Sequence, residues 1–186
     1  QILYPCMQAA DIFYLDAKVC QLGMDQRKVN MLAREVGPKL GYWKPVSVTH
    51  HMLMGLKKPP EGDDSVERAI EMKMSKSKPG TAIFMDDSKK DIEKKIKDAY
   101  CPQGEIKDNP LMEYAKYMVF EEFDTFKIER PEKYGGNIEF KSYGELCEAF
   151  KEGLHPMDFK NAMAKYVNKL VEPVRKHFEE NEEARK

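Results

Sequence analysis

Apolar residues recur at regular spacings along this chain, and the spacing changes character about halfway. From Gln1 to about Gly80 short apolar runs alternate with helical stripes, the pattern of an α/β fold. Gln1 to Tyr4 reads as the end of a strand, and Pro5 suits the first turn of a helix running to about Leu15. Gly23 opens a second helix, in which Val29, Leu32 and Val36 form an i, i+3, i+7 stripe up to Gly37. Pro45 to His51 reads as a strand.

From Ser88 onward the pattern is mainly helical. Ser88 is placed to cap a helix carrying Ile92, Ile96 and Ala99, and Asn109-Pro110 starts another through Phe120. Ser142 with Glu145 has the form of a capping box, Gly153 that of a helix stop. His155-Pro156 precedes a long helix with Phe159, Met163, Tyr166, Leu170, Val174 and Phe178 on one face, and Pro173 is expected to kink it. Between these helices, Phe126 to Phe140 with Gly135-Gly136 reads as an irregular or hairpin insert, and the charged tail Glu179 to Lys186 is expected to fray. The expected domains are therefore 1–87, α/β, and 88–186, helical.

Charge narrows the picture little. The 186 residues hold 31 Lys+Arg against 32 Asp+Glu, a net charge of -1, so any nucleic-acid surface must be local. Cys6, Cys20, Cys101 and Cys147 form no CxxC pair, which favours free thiols and a cytoplasmic setting. No apolar stretch approaches the ~20 residues that span a bilayer, so no membrane partner is expected. The opening Gln1-Ile2-Leu3-Tyr4-Pro5, without an initiator Met, reads as a strand entered midway, and a piece of a longer protein is expected.

Two groups of residues carry chemistry. Lys73-Met74-Ser75-Lys76-Ser77 follows a Gly/Pro/Asp-rich loop, and two lysines among small hydroxyls can deliver charge and donors to a polyphosphate. On the first helix Tyr4, Gln8 and Asp11 stand at i, i+4, i+7, while Met7 and Ile12 point elsewhere. If Gln26 converges there, the site offers acceptors for an ammonium and an acid for a hydroxyl. Taken alone, that face reads better as an amphipathic helix showing its polar residues to water. GxxxxGK[ST], GxGxxG, HExxH and GxSxG are all absent, and His50-His51 lacks partners for a metal, so no protein-bound metal is expected.

Taken together, the motifs resemble the tyrosyl-tRNA synthetases of archaeal and eukaryotic type, class I aminoacyl-tRNA synthetases. The residues concerned run in order from Tyr4-Pro5-Cys6-Met7-Gln8-Ala9-Ala10-Asp11 through Gly23-Met24-Asp25-Gln26-Arg27-Lys28 and Met31-Leu32-Ala33-Arg34-Glu35 to the Lys73–Ser77 signature. They continue with Ala99-Tyr100-Cys101-Pro102, Arg130-Pro131-Glu132-Lys133-Tyr134-Gly135-Gly136 and Leu154-His155-Pro156-Met157-Asp158. The resemblance implies a Rossmann-like catalytic domain, here its C-terminal half with the KMSKS loop, followed by a helical anticodon-binding domain.

It also implies roles. Tyr4, Gln8 and Gln26 would hold the ammonium of substrate tyrosine, and Asp11 would accept from its phenol. Met52 and Leu53 would lie by the adenine of ATP, which arrives with Mg2+. Lys73, Met74, Ser75, Lys76 and Ser77 would meet its phosphates, with Lys73 and Lys76 the catalytic pair. Tyr134, His155, Met157 and Asp158 would meet the anticodon of tRNA-Tyr, its first base a guanine, with Lys133 and Lys160 on phosphates. The HxGH signature of the family has no counterpart in this sequence, nor does the tyrosine that would share the substrate hydroxyl with Asp11. The chain is thus expected to hold half a site and to be inactive alone. Its parent would be a homodimer, but the segment that usually forms the interface is largely missing. A non-catalytic tRNA-binding or regulatory chain and a tryptophanyl-tRNA synthetase relative are the alternatives.

Overall fold

The computed structural model describes residues 2–60, 68, 72–74 and 78–184. They form two compact units, Gln1–Met52 and Leu53–Lys186. In the second unit Leu56 is buried in one core with Ile92, Ile96, Leu111 and Phe159.

The first unit contains α1 (Tyr4–Tyr14), β1 (Val19–Gly23), a 3-10 turn (Met24–Gln26), α2 (Arg27–Lys39) and β2 (Val46–His50). The strand expected at the start is absent from residues 2–4. Leu3 is already in the right-handed helical region and its carbonyl accepts from Met7 N at 3.0 Å, so the chain enters α1 directly. Asp16 leaves α1 with φ 53, a left-handed conformation that a short acidic side chain tolerates, and this turns the chain into β1. β1 and β2 pair in parallel, from Val19 opposite Val46 to Gly23 opposite His50. Parallel pairing requires a crossover, which α2 supplies. The helix does not stop at Gly37. A Cβ there would stand 2.7 Å from Trp43 O and 2.8 Å from Phe13 Cζ, so Gly37 is a close-packing point, and the stop falls at Leu40-Gly41 with Gly41 at φ 80. Ala9, Ile12, Cys20 and Ala33 are the buried core of this unit.

The second unit holds α3 (Lys89–Asp98), α4 (Pro110–Tyr114), a π-helical turn (Ala115–Val119) with one more turn at Phe120–Glu122, β3 (Phe126–Ile128), β4 (Ile138–Phe140), α5 (Tyr143–Lys151) and α6 (Pro156–Glu180). Ser88 and Asp91 form the reciprocal capping box that starts α3. Ser142 caps α5 through Glu145 N, but the Glu145 carboxylate turns to Lys141 N at 2.7 Å, so that box is only half formed. Asn109 Oδ1 accepts from Leu111 N and Met112 N to start α4. β3 and β4 make the expected hairpin. α6 continues past its exposed Pro173 to Glu180, and its buried face follows Phe159, Met163, Tyr166, Val167 and Val171 while Phe178 is exposed. In the tail, Glu179 and Glu180 stay helical, and Asn181 Oδ1 accepts from Glu183 N and Ala184 N.

Candidate functional site

The polar group of the first unit is assembled by two turns. α1 presents Tyr4, Gln8 and Asp11 on one face, with Tyr4 and Asp11 exposed and Gln8 half-buried. Gln26 arrives because β1 ends at Gly23 and the chain turns at once into Met24–Gln26. A Cβ on Gly23 would stand 2.4 Å from Met52 Sδ and 2.6 Å from Asp25 Oδ1, so any larger residue would push these two side chains aside. Gln8 Nε2 then donates to Gln26 Oε1 at 3.0 Å. Gln26 Nε2 in turn donates to Asp25 Oδ2 at 3.1 Å. A carboxylate only accepts, so Asp25 sets the direction of the relay: Gln26 must show Nε2 to it and Oε1 to Gln8. That leaves Gln8 Oε1 as a buried acceptor with no hydrogen-bond partner among the described residues. Such an orphan costs about 1 to 3 kcal/mol unless something donates to it. Asp25 stands inside the Gly23–Lys28 motif, but the sequence gives it no role; its place beside Gln26 is the signal.

In the second unit, Lys73 pairs with Met54 in an isolated antiparallel bridge, and Gly55 N donates to Met72 O at 2.5 Å. Leu56 N donates to Thr81 O at 2.9 Å, so the segments before and after the lysine signature both dock on residues 54–56. Leu53 and Met74 are half-buried against the helical core. Ser75, Lys76 and Ser77 lie outside the described residues. Sequence reasoning missed what holds Met54: its N–H donates to Glu113 Oε2 at 2.8 Å and its carbonyl accepts from the Tyr114 hydroxyl at 3.1 Å. Burial, reinforced by the Glu113 charge, pushes the Tyr114 phenol far above its ordinary pKa, so it remains a donor.

The anticodon candidates occupy separate elements of the same unit. Tyr134 closes a 3-10 turn (Glu132–Tyr134) before Gly135 at φ 95 and Gly136 at φ 71, and the residue is 60% exposed. Lys133 Nζ lies 4.8 Å from that ring's centroid. Arg130 braces the loop, donating from Nε to Gly136 O at 3.1 Å. His155 caps α6: its Nδ1 accepts from Met157 N at 3.2 Å, which gives it a structural task. Met157 and Asp158 are half-buried in the first turn of α6, and Asp158 N donates to His155 O at 3.1 Å. Lys160 Nζ donates to Lys97 O at 2.8 Å.

Among the described residues no three His, Cys, Asp or Glu side chains are grouped to hold a metal, and no helix is long and apolar enough to cross a membrane. All four cysteines are free thiols.

The family model described as "tRNA synthetases class I (W and Y)" matches residues 1–172. Tyrosine--tRNA ligase 1, cytoplasmic, of Arabidopsis thaliana is 48% identical over 100% of this chain and 46% of its own length. Tyrosine--tRNA ligase of Thermococcus sibiricus is 44% identical over 98% of this chain and 53% of its own. The crystal structure of tyrosyl-tRNA synthetase from Pyrococcus horikoshii, complexed with L-tyrosine, matches 96% of this chain and 52% of that one, with a TM-score of 0.86 and 44% identity. The chain thus spans about half the length of the curated relatives it matches. With mixed α/β structure followed by helices and these matches across nearly its whole length, the chain has a class I synthetase fold and belongs to the tRNA synthetase family for tryptophan and tyrosine.

Proposed function

We propose that this chain is the C-terminal part of a tyrosine-tRNA ligase, which activates tyrosine with ATP and passes it to tRNA-Tyr. The observation that carries this reading is the Gln8–Gln26 pair with its orphan acceptor, Gln8 Oε1. A buried carbonyl oxygen lacking a donor suits an ammonium, which brings three. Tyr4 lies one turn before Gln8, and Asp11 lies on the same face to accept from a phenol. Activation is attack of the tyrosine carboxylate on the α-phosphorus, with pyrophosphate leaving. The chain's part in it is positional and electrostatic: the amides fix the amino acid, while Lys73 and Lys76 offset charge on the departing pyrophosphate. Met52 and Leu53 border the adenine, and Met74, Ser75 and Ser77 complete the loop that meets the phosphates. Mg2+ enters bound to ATP, with no resident protein site.

In this reading residues 1–87 belong to the catalytic domain and 88–186 to the anticodon-binding domain. Tyr134 stacks on the guanine, Asp158 accepts from its edge, and His155 and Met157 form the surrounding turn. The free thiols support a cytoplasmic setting.

Amino-acid-dependent ATP–pyrophosphate exchange tests the assignment. A full-length protein carrying this sequence is expected to exchange with tyrosine and not with tryptophan. The 186-residue chain alone is expected to show none. Exchange driven by tryptophan, or none with either amino acid, would overturn the ligase reading, and steady exchange by the short chain would overturn the half-site reading.

A further inference from the structure

The residues that hold Met54 belong to no motif of the lysine signature, yet they determine where its base lies. Met54 is 5% exposed and Tyr114 1%, so the hydrogen bond between them is closed to water. Its N–H is taken by Glu113 and its carbonyl by Tyr114, consecutive residues at the end of α4, where the backbone passes into a π-helical turn. π-turns are uncommon and cluster at functional places. On the other side, Met54 is the bridge partner of Lys73. Gly55 is squeezed between the two flanks of the signature, since a Cβ there would stand 3.2 Å from both Met72 O and Thr81 O. Any shift of residues 54–56 therefore moves both flanks together.

We propose that Glu113 and Tyr114 are positioning residues for Lys73, acting through Met54. Neither touches a substrate in this account. Glu113 fixes the height of the Met54 amide, Tyr114 fixes its carbonyl, and the bridge transfers that register to Lys73. The functional side rests on Lys73 meeting the ATP phosphates. The mechanical side rests only on the contacts above.

Hydrogen exchange of the 186-residue chain reads the mechanical side at the Gly55 amide, whose partner is Met72 O. Glu113→Ala is expected to speed that exchange about tenfold, the loss of one hydrogen bond to a charged acceptor. Glu113→Gln, which keeps an acceptor at the same reach, is expected to restore it. Acetylation of Lys73, followed by mass spectrometry against Lys39 and Lys169, is expected to change in Glu113→Ala and not in Glu113→Gln. If Glu113→Ala does not fold, Tyr114→Phe carries the test, with Gly55 exchange rising in the same direction. Unchanged Gly55 exchange in the folded variant overturns the proposal, as does protection lost evenly over the unit from Leu53 to Ala184. In a full-length protein carrying this sequence, Glu113→Ala is expected to lower kcat for exchange about tenfold with the KM for tyrosine unchanged. A raised KM at constant kcat overturns the link to Lys73. Absence of exchange in the unsubstituted protein, with Gly55 and Lys73 responding as stated, sinks the ligase reading and leaves the anchor standing.

Discussion

Gln8 and Gln26, on different elements, meet through their amides at 3.0 Å, and this contact decides which end of each amide points away from it. Asp25 takes the Gln26 amide group, Gln26 takes that of Gln8, and Gln8 Oε1 is left buried without a donor among the described residues. A relay anchored on a carboxylate cannot reverse without placing two oxygens against each other. The amides are thereby oriented before any ligand arrives.

Replacing Gln8 by Met separates binding from stability. The variant loses one hydrogen bond, worth about 0.5 to 1.5 kcal/mol, and removes an unsatisfied buried acceptor, worth about 1 to 3 kcal/mol. The urea midpoint of the 186-residue chain is expected to stay level or rise. In a full-length protein, calorimetry is expected to show weakened tyrosine binding. A destabilised chain would mean that Gln8 Oε1 is satisfied.

Asp11→Ala in a full-length protein is expected to cost about 1.5 to 3 kcal/mol of kcat/KM for tyrosine, the range for a hydrogen bond to a charged group. Phenylalanine has no hydroxyl to lose and is expected to change little. Equal losses for both amino acids in exchange assays would remove Asp11 from hydroxyl recognition. Lys73→Ala is expected instead to lower kcat with little change in tyrosine affinity.

The helical unit makes a prediction for RNA. An anticodon stem-loop with guanine first is expected to bind this chain more tightly than its adenine counterpart, and both to weaken with salt. Tyr134→Ala is expected to cost about 1 to 3 kcal/mol for either loop, because stacking does not read base identity. Asp158→Ala is expected to erase the guanine preference. Fluorescence anisotropy at two salt concentrations measures all of this, and a preference surviving in Asp158→Ala would reject its role.

The cap of α3 gives a pH signature. The Ser88 hydroxyl donates to Asp91 at 2.6 Å and, as the largest cause, holds its carboxyl below the usual aspartate range. A depressed folded-state value means that the ionised form favours the folded chain. The contribution is therefore present at neutral pH and lost as pH falls through and below the ordinary carboxylate range. Carbon-detected titration of Asp91 is expected to move up toward the ordinary value in Ser88→Ala. No movement would show that the hydroxyl is not the cause.

Much of this molecule is legible locally. Ser88, Asn109 and Ser142 cap helices because each bond closes within three residues, so neighbouring sequence suffices to specify it. The polar face of α1 follows from helical spacing alone. β1 escaped notice because five residues, with Gln21 in the middle, show neither a clean alternation nor an apolar run, and only pairing with β2 makes them a strand. Gly37 imitates a helix stop, and only the approach of Phe13 and the Trp43 carbonyl reveals its use.

The sequence by itself determined the order of motifs, the helix starts and the residue types able to meet an amino acid, a polyphosphate and a base. The tertiary structure alone decided which of them touch. Met54 and Glu113 are 59 residues apart, and no periodicity reports a bond across that distance. Helical repeats and caps are set by neighbours along the chain, whereas such a contact exists only once the whole core has closed around it.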